Sequence, residues 1–304
     1  MSAHLTGTRR VWSEAFTPQG GAGRRVLPAS LAFGVFATAV YLVYLYVYPN
    51  LTLEVGPHEI VGALLGLLLV FRTNAGYDRW WEARKLWGGI VNQSRNLALI
   101  GLAHGPNDER WRKQFIRWTA AFAWAAKARL RGETAAPELV ILLGENESAR
   151  VHKSEHMALY VALEIDKLLR QACQEGGMDR VAFLQAERER AGLIDHLGGC
   201  ERIRSTPLAK VYSVTIRRFI LFYLATLPFA LLHRFEREWM MPLVTFVIAH
   251  PVLVIDQLGI ELQQPFATGS INHLPLDTIC SNLEKNLLAL LEGHNTSSKN
   301  HSAE

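Results

Sequence analysis

A run of 22 residues without a charged side chain, "LPASLAFGVFATAVYLVYLYVY" (residues 27–48), places the strongest constraint on how this chain of 304 residues folds. As a helix it is roughly 33 Å long, enough to cross a hydrocarbon core of about 30 Å. Buried helices of soluble proteins rarely stay uncharged over this length. The run also starts too late and is too long for a signal-peptide core. It therefore predicts a membrane protein.

Charge is distributed unevenly around this first apolar run. Four arginines precede it: Arg9, Arg10, Arg24 and Arg25. The following segment, residues 49–59, contains Glu54 and Glu59 but no lysine or arginine. By the positive-inside rule, the N-terminus is expected in the cytoplasm and the 49–59 loop outside an inner (cell) membrane.

Two further apolar segments lie close together near the C-terminal end, at residues 217–235 and 239–262. Their short connection predicts an antiparallel hairpin that turns outside. With Ile60–Phe71 as the remaining crossing, the chain makes four passes and both termini are cytoplasmic. Prolines at 228, 242 and 251 are expected to break or kink these helices. Intramembrane His250 and Asp256 are then interpreted as hydrogen-bonding groups that stabilise a helix break.

The middle of the chain, from 105 to 212, has helical periodicity and no alternating strand pattern. One predicted helix contains Phe115, Trp118 and Phe122 at helical spacing; another begins after Asp179 as N-cap and ends at the pair Gly198–Gly199. The polar segment from Gly293 is predicted to be a disordered tail.

We therefore predict an all-α membrane protein with four transmembrane passes and a helical cytoplasmic region. The expected boundaries are a cytoplasmic N-terminal segment (1–26), transmembrane helices 1 and 2 with the second extending into the cytoplasm (27–104), the helical cytoplasmic region (105–212), transmembrane helices 3 and 4 (213–262), a cytoplasmic C-terminal segment (263–292) and the tail (293–304).

The second apolar run, Ile60–Phe71, has only 12 residues and passes directly into the charged, tryptophan-rich block "FRTNAGYDRWWEARKLWG" (residues 71–88). About 18 Å of apolar helix is too short for a lipid-facing span. It suffices if Ile60 to about Leu97 forms one helix whose polar part is shielded from lipid. Within it, Ala63, Leu67 and Phe71 form one stripe. The stripe either forms a hydrophobic pore neck around a symmetry axis or packs ordinarily inside one bundle.

Three blocks resemble the bestrophin family in order and position. The block at residues 71–88 is similar to the one that follows the second membrane helix in bacterial bestrophins. The segment "CERIRSTPLAKVY" (200–212) is similar to the one before their third membrane helix. The stretch "LGIELQQPFATGSINHLPLDTICSNLE" (258–284) resembles the C-terminal pattern of the family.

This resemblance implies a homopentameric ion channel whose single pore is lined in the membrane by the second helix of each subunit. Ala63, Leu67 and Phe71 then correspond to the hydrophobic neck of the family. Val181 corresponds to the second, cytoplasmic aperture.

The resemblance also raises the question of calcium, which animal bestrophins bind through a run of acids. Here Gln264 and Ala267 replace the Asn and Gly of the family pattern, and the following "TGSINH" contains no carboxylate. Calcium takes six to eight oxygen ligands, and Asp277 alone cannot supply that charge. We expect no calcium clasp and no calcium gating.

Ion selectivity is predicted from the outer loop. Glu54 and Glu59, repeated five-fold, would concentrate cations and repel chloride at the outer mouth. Animal family members pass anions, whereas bacterial relatives are described as passing monovalent cations. We expect sodium and potassium to be favoured over chloride, with an anion-selective channel as the alternative.

Other functions find less support in the sequence. No Ser-His-Asp set, phosphate loop or paired carboxylates predicts an enzyme, and no cofactor, metal or nucleic-acid partner is expected. His152 and His156 could bind zinc if both lay on one helix, but they lack a third ligand. The three cysteines have no zinc or disulfide spacing. A non-conducting scaffold or a carrier remains the other alternative; a carrier would favour inverted repeats, which the sequence lacks.

Overall fold

The structure is a computed structural model that describes residues 21–49, 53–207, 210–232, 237–270 and 272–301. Within these residues every regular element is helical, with one short 3₁₀ turn at Glu238–Met240. The predicted all-α class is confirmed for this part of the chain. The helices are α1 (Ala22–Tyr46), α2 (Val55–His104), α3 (Glu109–Arg131), α4 (Glu138–Leu143), α5 (Glu145–Lys153), α6 (Met157–Gln174), α7 (Arg180–Ser205), α8 (Lys210–Leu231), α9 (Met241–Leu262) and α10 (Leu276–His301).

The chain divides into two compact units, and α2 belongs to both. The first unit comprises residues 1–79, 208–265 and 269–273; the second comprises 80–207, 266–268 and 274–304. Four helical segments of the described residues are long and apolar enough to cross a membrane: Ala22–Tyr46, Val55–His104, Val211–Leu231 and Glu238–Leu262. Each of these segments overlaps one of the four predicted spans, and residues 233–236, in the predicted turn between the last two spans, lie outside the described residues.

In the first unit, α1 packs along α9 and α8 packs against both. Leu65 and Leu69 of α2 are buried with Ile216, Ile220 and Leu224 of α8. Much of the remaining apolar surface of these helices is exposed within one chain. Surface of this kind suits contact with lipid or with another protein chain, because water disfavours it.

The prolines were expected to break or kink these helices, and no break occurs at Pro228 or Pro251. α8 continues through Pro228 to Leu231, and α9 continues through Pro251 to Leu262. Pro242 lies in the first turn of α9, where its missing N–H removes no intrahelical hydrogen bond. A proline deeper in a membrane helix is tolerated where neighbouring groups satisfy the freed carbonyl.

The second unit has a large core built around α3. Phe115, Trp118 and Phe122 are buried as the spacing predicted. α6 and α10 pack against α3, and α7 packs against α6. On α6 the buried side is formed by Val161, Ile165 and Leu169.

Helix α7 begins where the sequence predicted and ends later. The Asp179 carboxylate accepts hydrogen bonds from the backbone N–H groups of Val181 (2.8 Å) and Ala182 (3.1 Å), which confirms the N-cap. The helix passes through Gly198–Gly199 to Ser205, so the predicted end at this pair is wrong. A Cβ at Gly199 would lie 2.9 Å from Leu86 of α2. This glycine therefore serves close helix packing rather than termination.

The last helix extends into the segment that the sequence predicted as a tail. Residues from Gly293 were expected to be disordered, yet α10 continues to His301. Extending an existing helix needs no new nucleation, so polar residues of moderate propensity can be added to its end. The disordered tail from Gly293 therefore stays a prediction.

Candidate functional site

Helix α2 carries the candidate site and is one continuous helix of 50 residues. It contains the whole of the predicted Ile60–Leu97 helix. In the first unit, its buried positions include Leu65, Leu69, Arg72 and Gly76, which recur at helical spacing. The opposite side of the helix is exposed within one chain.

The predicted neck residues lie on this exposed side. Ala63 is exposed, and the relative exposures of Leu67 and Phe71 are 51% and 56%. The three positions are separated by four residues and so form a slowly turning apolar stripe. A stripe turned away from the core of its own chain is available to line a pore or to contact another chain. Its exposure argues against packing inside the bundle of a single subunit.

A buried ion pair holds the helix beside Phe71. Arg72 is 1% exposed, and its guanidinium donates a hydrogen bond to the carboxylate of Asp256 on α9. Arg217 of α8 adds a second positive charge, with Nε 3.7 Å from the second Asp256 oxygen. These contacts join Arg72 of α2 and Arg217 of α8 to the same carboxylate on α9.

Close backbone packing accompanies this ion pair. A Cβ at Gly76 would lie 3.1 Å from the carbonyl oxygen of Gly259, and a Cβ at Gly259 would lie 3.5 Å from Cγ of Arg72. The absence of side chains at both glycines lets α2 and α9 approach each other. The close packing of α2 against α9 therefore fixes which side of α2 faces the core and leaves Phe71 on the exposed side.

The two intramembrane groups singled out in the sequence have different roles from those expected. Asp256 pairs with Arg72 instead of stabilising a helix break. Nδ1 of His250 lies 3.1 Å from Oγ of Ser30 and so connects α9 to α1. Arg72 is the residue of this arrangement that sequence reasoning missed. Its signal was an arginine directly after an apolar run, together with an acid inside another predicted span.

The outer acids lie at the start of α2. Glu54 immediately precedes the helix, and Glu59 lies in its first two turns; both are exposed. The backbone N–H of Leu53 donates to the carbonyl of Phe229 at 3.1 Å, which ties this entry segment to α8. Glu59 is therefore helical, where the sequence placed it in a loop.

Val181 is the second residue of α7, and its relative exposure is 77%. Its backbone N–H is held by the Asp179 cap, so the position of its Cα is well defined. An exposed valine at a capped helix start can project into an aperture. It belongs to the second unit, whereas Ala63, Leu67 and Phe71 belong to the first.

The acids near the expected calcium position are engaged by basic and amide groups. In the first unit, Glu261 accepts hydrogen bonds from Arg25, Gln257, Ser270 and Asn272. Each of these partners is a donor that competes with a metal for the carboxylate oxygens.

Asp277 in the second unit is similarly occupied. It accepts from Nζ of Lys127 at 3.0 Å and from Arg131 at 2.7 Å. Burial raises the pKa of Asp277, but the hydrogen bonds from Lys127 and Arg131 outweigh it and hold the pKa below its usual value. The carboxylate is thus ionised and paired at neutral pH.

The histidine pair does not form a zinc site. His152 lies within α5, and its Nε2 is 3.1 Å from the backbone N–H of Ala136. His156 is the N-cap of α6, and its Nε2 lies 3.0 Å from Glu201. The i, i+4 argument needs both on one helix, and the chain breaks the helix between them. No cluster of three or more metal-ligating side chains occurs in the residues that the structure describes.

Comparison with known proteins assigns the chain to a family. A family model described as Bacterial/Fungal Bestrophin protein matches residues 4–289. A voltage-dependent anion channel-forming protein of Nostoc sp. is 34% identical over 268 residues, which cover 87% of this chain and 85% of the relative. A protein of the same description from Escherichia coli is 31% identical and covers 84% of this chain and 83% of its own length.

A solved structure agrees with this assignment. The crystal structure of a bacterial bestrophin homologue from Klebsiella pneumoniae superposes with a TM-score of 0.78 at 28% identity. The alignment covers 88% of this chain and 97% of that one.

Proposed function

Because the chain belongs to the Bacterial/Fungal Bestrophin family, we propose that it is a homopentameric channel through which monovalent ions cross the inner membrane passively. The observation that carries this proposal is the exposed stripe of Ala63, Leu67 and Phe71 on α2. Five copies of such a stripe around an axis would enclose an apolar neck. A neck of this kind gates ions by dewetting and needs no catalytic group or cofactor.

The buried pair of Arg72 and Asp256 supports the pore interpretation of this stripe. A channel needs its constriction held at a defined radius, and an ion pair out of water is a strong positional constraint once formed. Val181 is proposed as the second, cytoplasmic aperture on the basis of family resemblance and its exposure at a capped helix start.

We propose that the channel favours sodium and potassium over chloride. The support is the exposure of Glu54 and Glu59 at the outer end of α2. Five copies of two carboxylates would raise the local concentration of cations. The apolar neck supplies no ligands, so discrimination between sodium and potassium should be weak.

An anion-selective channel is the second candidate, and a specific observation favours it. The relatives from Nostoc sp. and Escherichia coli are described as voltage-dependent anion channel-forming proteins. Neck and aperture would be the same in both candidates. The two candidates differ in the charge of the ion that passes the outer mouth at Glu54 and Glu59.

The proposed channel is not gated by calcium. The carboxylates of Glu261 and Asp277 already accept hydrogen bonds from arginine or lysine, and a cation ligand set would have to displace these donors. Arg24 and Arg25, in the first turn of α1, support a topology with the N-terminus in the cytoplasm, and four passes would return the C-terminus to the same side.

Ion flux into liposomes tests the proposal. The purified protein is first weighed by native mass spectrometry, and a mass of five subunits is expected. It is then reconstituted into two sets of liposomes, one containing a sodium-sensitive dye and the other a chloride-sensitive dye. We expect sodium entry above that of empty liposomes, with little chloride entry.

The double variant Glu54→Gln/Glu59→Gln separates the two candidates. In a cation channel it should lower sodium entry relative to chloride, because the outer negative charge is lost. Chloride entry that exceeds sodium entry in the wild type would support the anion channel. A pentamer that passes neither ion would support a non-conducting scaffold.

A further inference from the structure

A basic cleft in the second unit contains none of the residues assigned to conduction. It has a volume of about 340 Å³ and is bordered by α3, α4 and α5. One wall carries Arg110, Lys113 and Arg117 of α3, and the other includes Leu142 and Leu143 of α4. We call it the α3–α4 cleft.

The positive wall is a row of like charges on one side of a helix. Arg110, Lys113 and Arg117 are spaced by three and four residues, so neighbouring cations repel one another. Among the described residues, none of these three side chains takes part in an ion pair. The row therefore places three positively charged side chains without an ion-pair partner in the described part of the chain at the α3–α4 cleft.

The single acid in the lining does not neutralise this row. Glu147 of α5 borders the cleft, but its carboxylate accepts from Nη1 of Arg150 at 2.9 Å. The lining therefore carries two more positive than negative charges. A concave surface of one sign concentrates ions of the opposite sign.

The rest of the cleft is apolar. The buried indole of Trp118 and the side chains of Leu142 and Leu143 contribute to its lining. Ile141 of α4, next to them in the chain, is 81% exposed. A fully hydrated inorganic anion would leave this surface unused, whereas a ligand with an apolar part would cover it.

We propose that the α3–α4 cleft binds a phosphate-bearing organic anion that has an apolar portion. A phosphate monoester carries up to two negative charges and three acceptor oxygens, which suits several cations better than a single carboxylate does. The guanidinium groups of Arg110 and Arg117 match phosphate geometry, and Lys113 adds a third charge. The apolar portion lies against Trp118 and Leu143.

Such a ligand has two possible sources with the same chemistry: a soluble organophosphate or the headgroup of an anionic phospholipid. Two probes distinguish them. Phenyl phosphate represents the soluble source, and dihexanoyl phosphatidic acid represents the lipid source. Inorganic phosphate reports the contribution of charge alone.

The test is isothermal titration calorimetry of the full-length protein in a neutral detergent at low ionic strength. We expect phenyl phosphate, dihexanoyl phosphatidic acid or both to bind more tightly than inorganic phosphate. The probe that binds more tightly identifies the source. Lys113→Gln/Arg117→Gln should weaken binding of that probe by about tenfold or more, since two charge-assisted contacts are lost.

A matched variant controls for total charge. Lys153→Gln/Lys167→Gln removes two exposed lysines of the same unit outside the cleft and should bind as the wild type does. Size-exclusion profiles check that both double variants keep the wild-type assembly. The proposal is overturned if neither organic probe binds, or if the cleft variant and the control bind equally well.

Discussion

The guanidinium of Arg72 is buried against the carboxylate of Asp256, and this pair joins α2 to α9 one residue after Phe71. Both residues lie in segments long and apolar enough to cross a membrane. Removing one charge would leave the other without its partner in a dry environment, which costs far more than the intact pair contributes. The pair is therefore a constraint on both folding and the position of the proposed neck.

Replacing one member of this pair should destabilise the protein strongly. We expect Asp256→Asn to lower the free energy of unfolding by about 3 to 5 kcal/mol, because Arg72 is left as an uncompensated buried charge. Unfolding by SDS, followed by circular dichroism, measures this. Asp78→Asn is the control, since Asp78 is an exposed acid on α2, the helix that carries Arg72.

The double variant Arg72→Met/Asp256→Leu should recover part of the loss, because it removes both charges together. The assignment of a buried ion pair would be contradicted if the double variant were less stable than Asp256→Asn. It would also be contradicted if Asp256→Asn were as stable as the wild type.

The neck prediction concerns adjacent residues on α2. Leu67→Ser should raise single-channel conductance or open probability by roughly twofold or more, because hydroxyl groups lower the dewetting barrier of an apolar ring. Leu68→Ser makes the same change about 100° around the helix, at a partly buried position, and should leave conductance unchanged. Planar-bilayer recording compares them. Equal effects of the two variants would count against a neck at Leu67.

The aperture prediction uses two valines of nearly equal exposure. Val181→Ala should raise conductance, since a smaller side chain widens a constriction, whereas Val211→Ala should not. Val181 is 77% exposed and Val211 is 76% exposed. The two substitutions therefore remove the same atoms from equally exposed side chains at different positions in the fold. The measurement is again single-channel conductance in symmetric salt. If the Val181 variant conducts as the wild type does, this position forms no narrow aperture.

Thiol reactivity should separate the three cysteines. Burial raises the pKa of both Cys200 and Cys280 to about 12, so their thiols stay neutral and shielded near pH 8. Cys173 is partly exposed. Iodoacetamide should therefore modify one cysteine per native chain and all three after unfolding, as mass spectrometry can count. Cys173→Ser should abolish labelling of the native chain; modification of Cys200 or Cys280 before unfolding would refute this.

The ion pairs of Lys127 should be insensitive to pH near neutrality. Burial lowers the pKa of Lys127, but hydrogen bonds from its ammonium to Asp277 and Glu138 outweigh burial and raise the pKa above its usual value. The pKa of Asp277 is held below its usual value. Lys127, whose pKa is raised by folding, stabilises the fold fully at pH values below its unfolded pKa. Asp277, whose pKa is lowered by folding, does so at pH values above its unfolded pKa. The stabilisation from this ion pair is therefore complete between the unfolded pKa of Asp277 and that of Lys127. It is lost at more acidic and at more alkaline pH.

Asp277→Asn tests this pH window. It should lower the unfolding free energy by about 1 kcal/mol or less, because the Asp277 carboxylate is half exposed and the ammonium of Lys127 keeps Glu138 as an acceptor. The loss should be the same at about pH 6 and pH 8, and it should shrink below about pH 4 as wild-type Asp277 is protonated. A loss that changes steeply between pH 6 and pH 8 would assign the effect to another titrating group.

Local sequence patterns predicted the helices well where one dominant signal acted. The uncharged run before Pro49 and the spacing of Phe115, Trp118 and Phe122 predicted elements that the structure confirms. The Asp179 cap was also correct, because a cap depends on a few adjacent residues.

Features that depend on distant residues were missed. The partner of Arg72 is 184 positions away, and no periodicity encodes such a pairing. Gly199 was interpreted as a helix end, although its role depends on Leu86 of another helix. The assignment of Val181 came from family resemblance alone and remains a prediction.

The most direct test of the central claim is planar-bilayer recording of wild-type protein whose mass has first been measured as that of five subunits. The recording is made under a salt gradient, first in NaCl and KCl and then in N-methyl-glucamine chloride. A cation pore along α2 predicts currents that reverse near the sodium and potassium equilibrium potentials and vanish with the large organic cation. Reversal near the chloride potential would contradict the proposed selectivity. The absence of current from an intact pentamer, including the Val181→Ala variant, would contradict the channel itself.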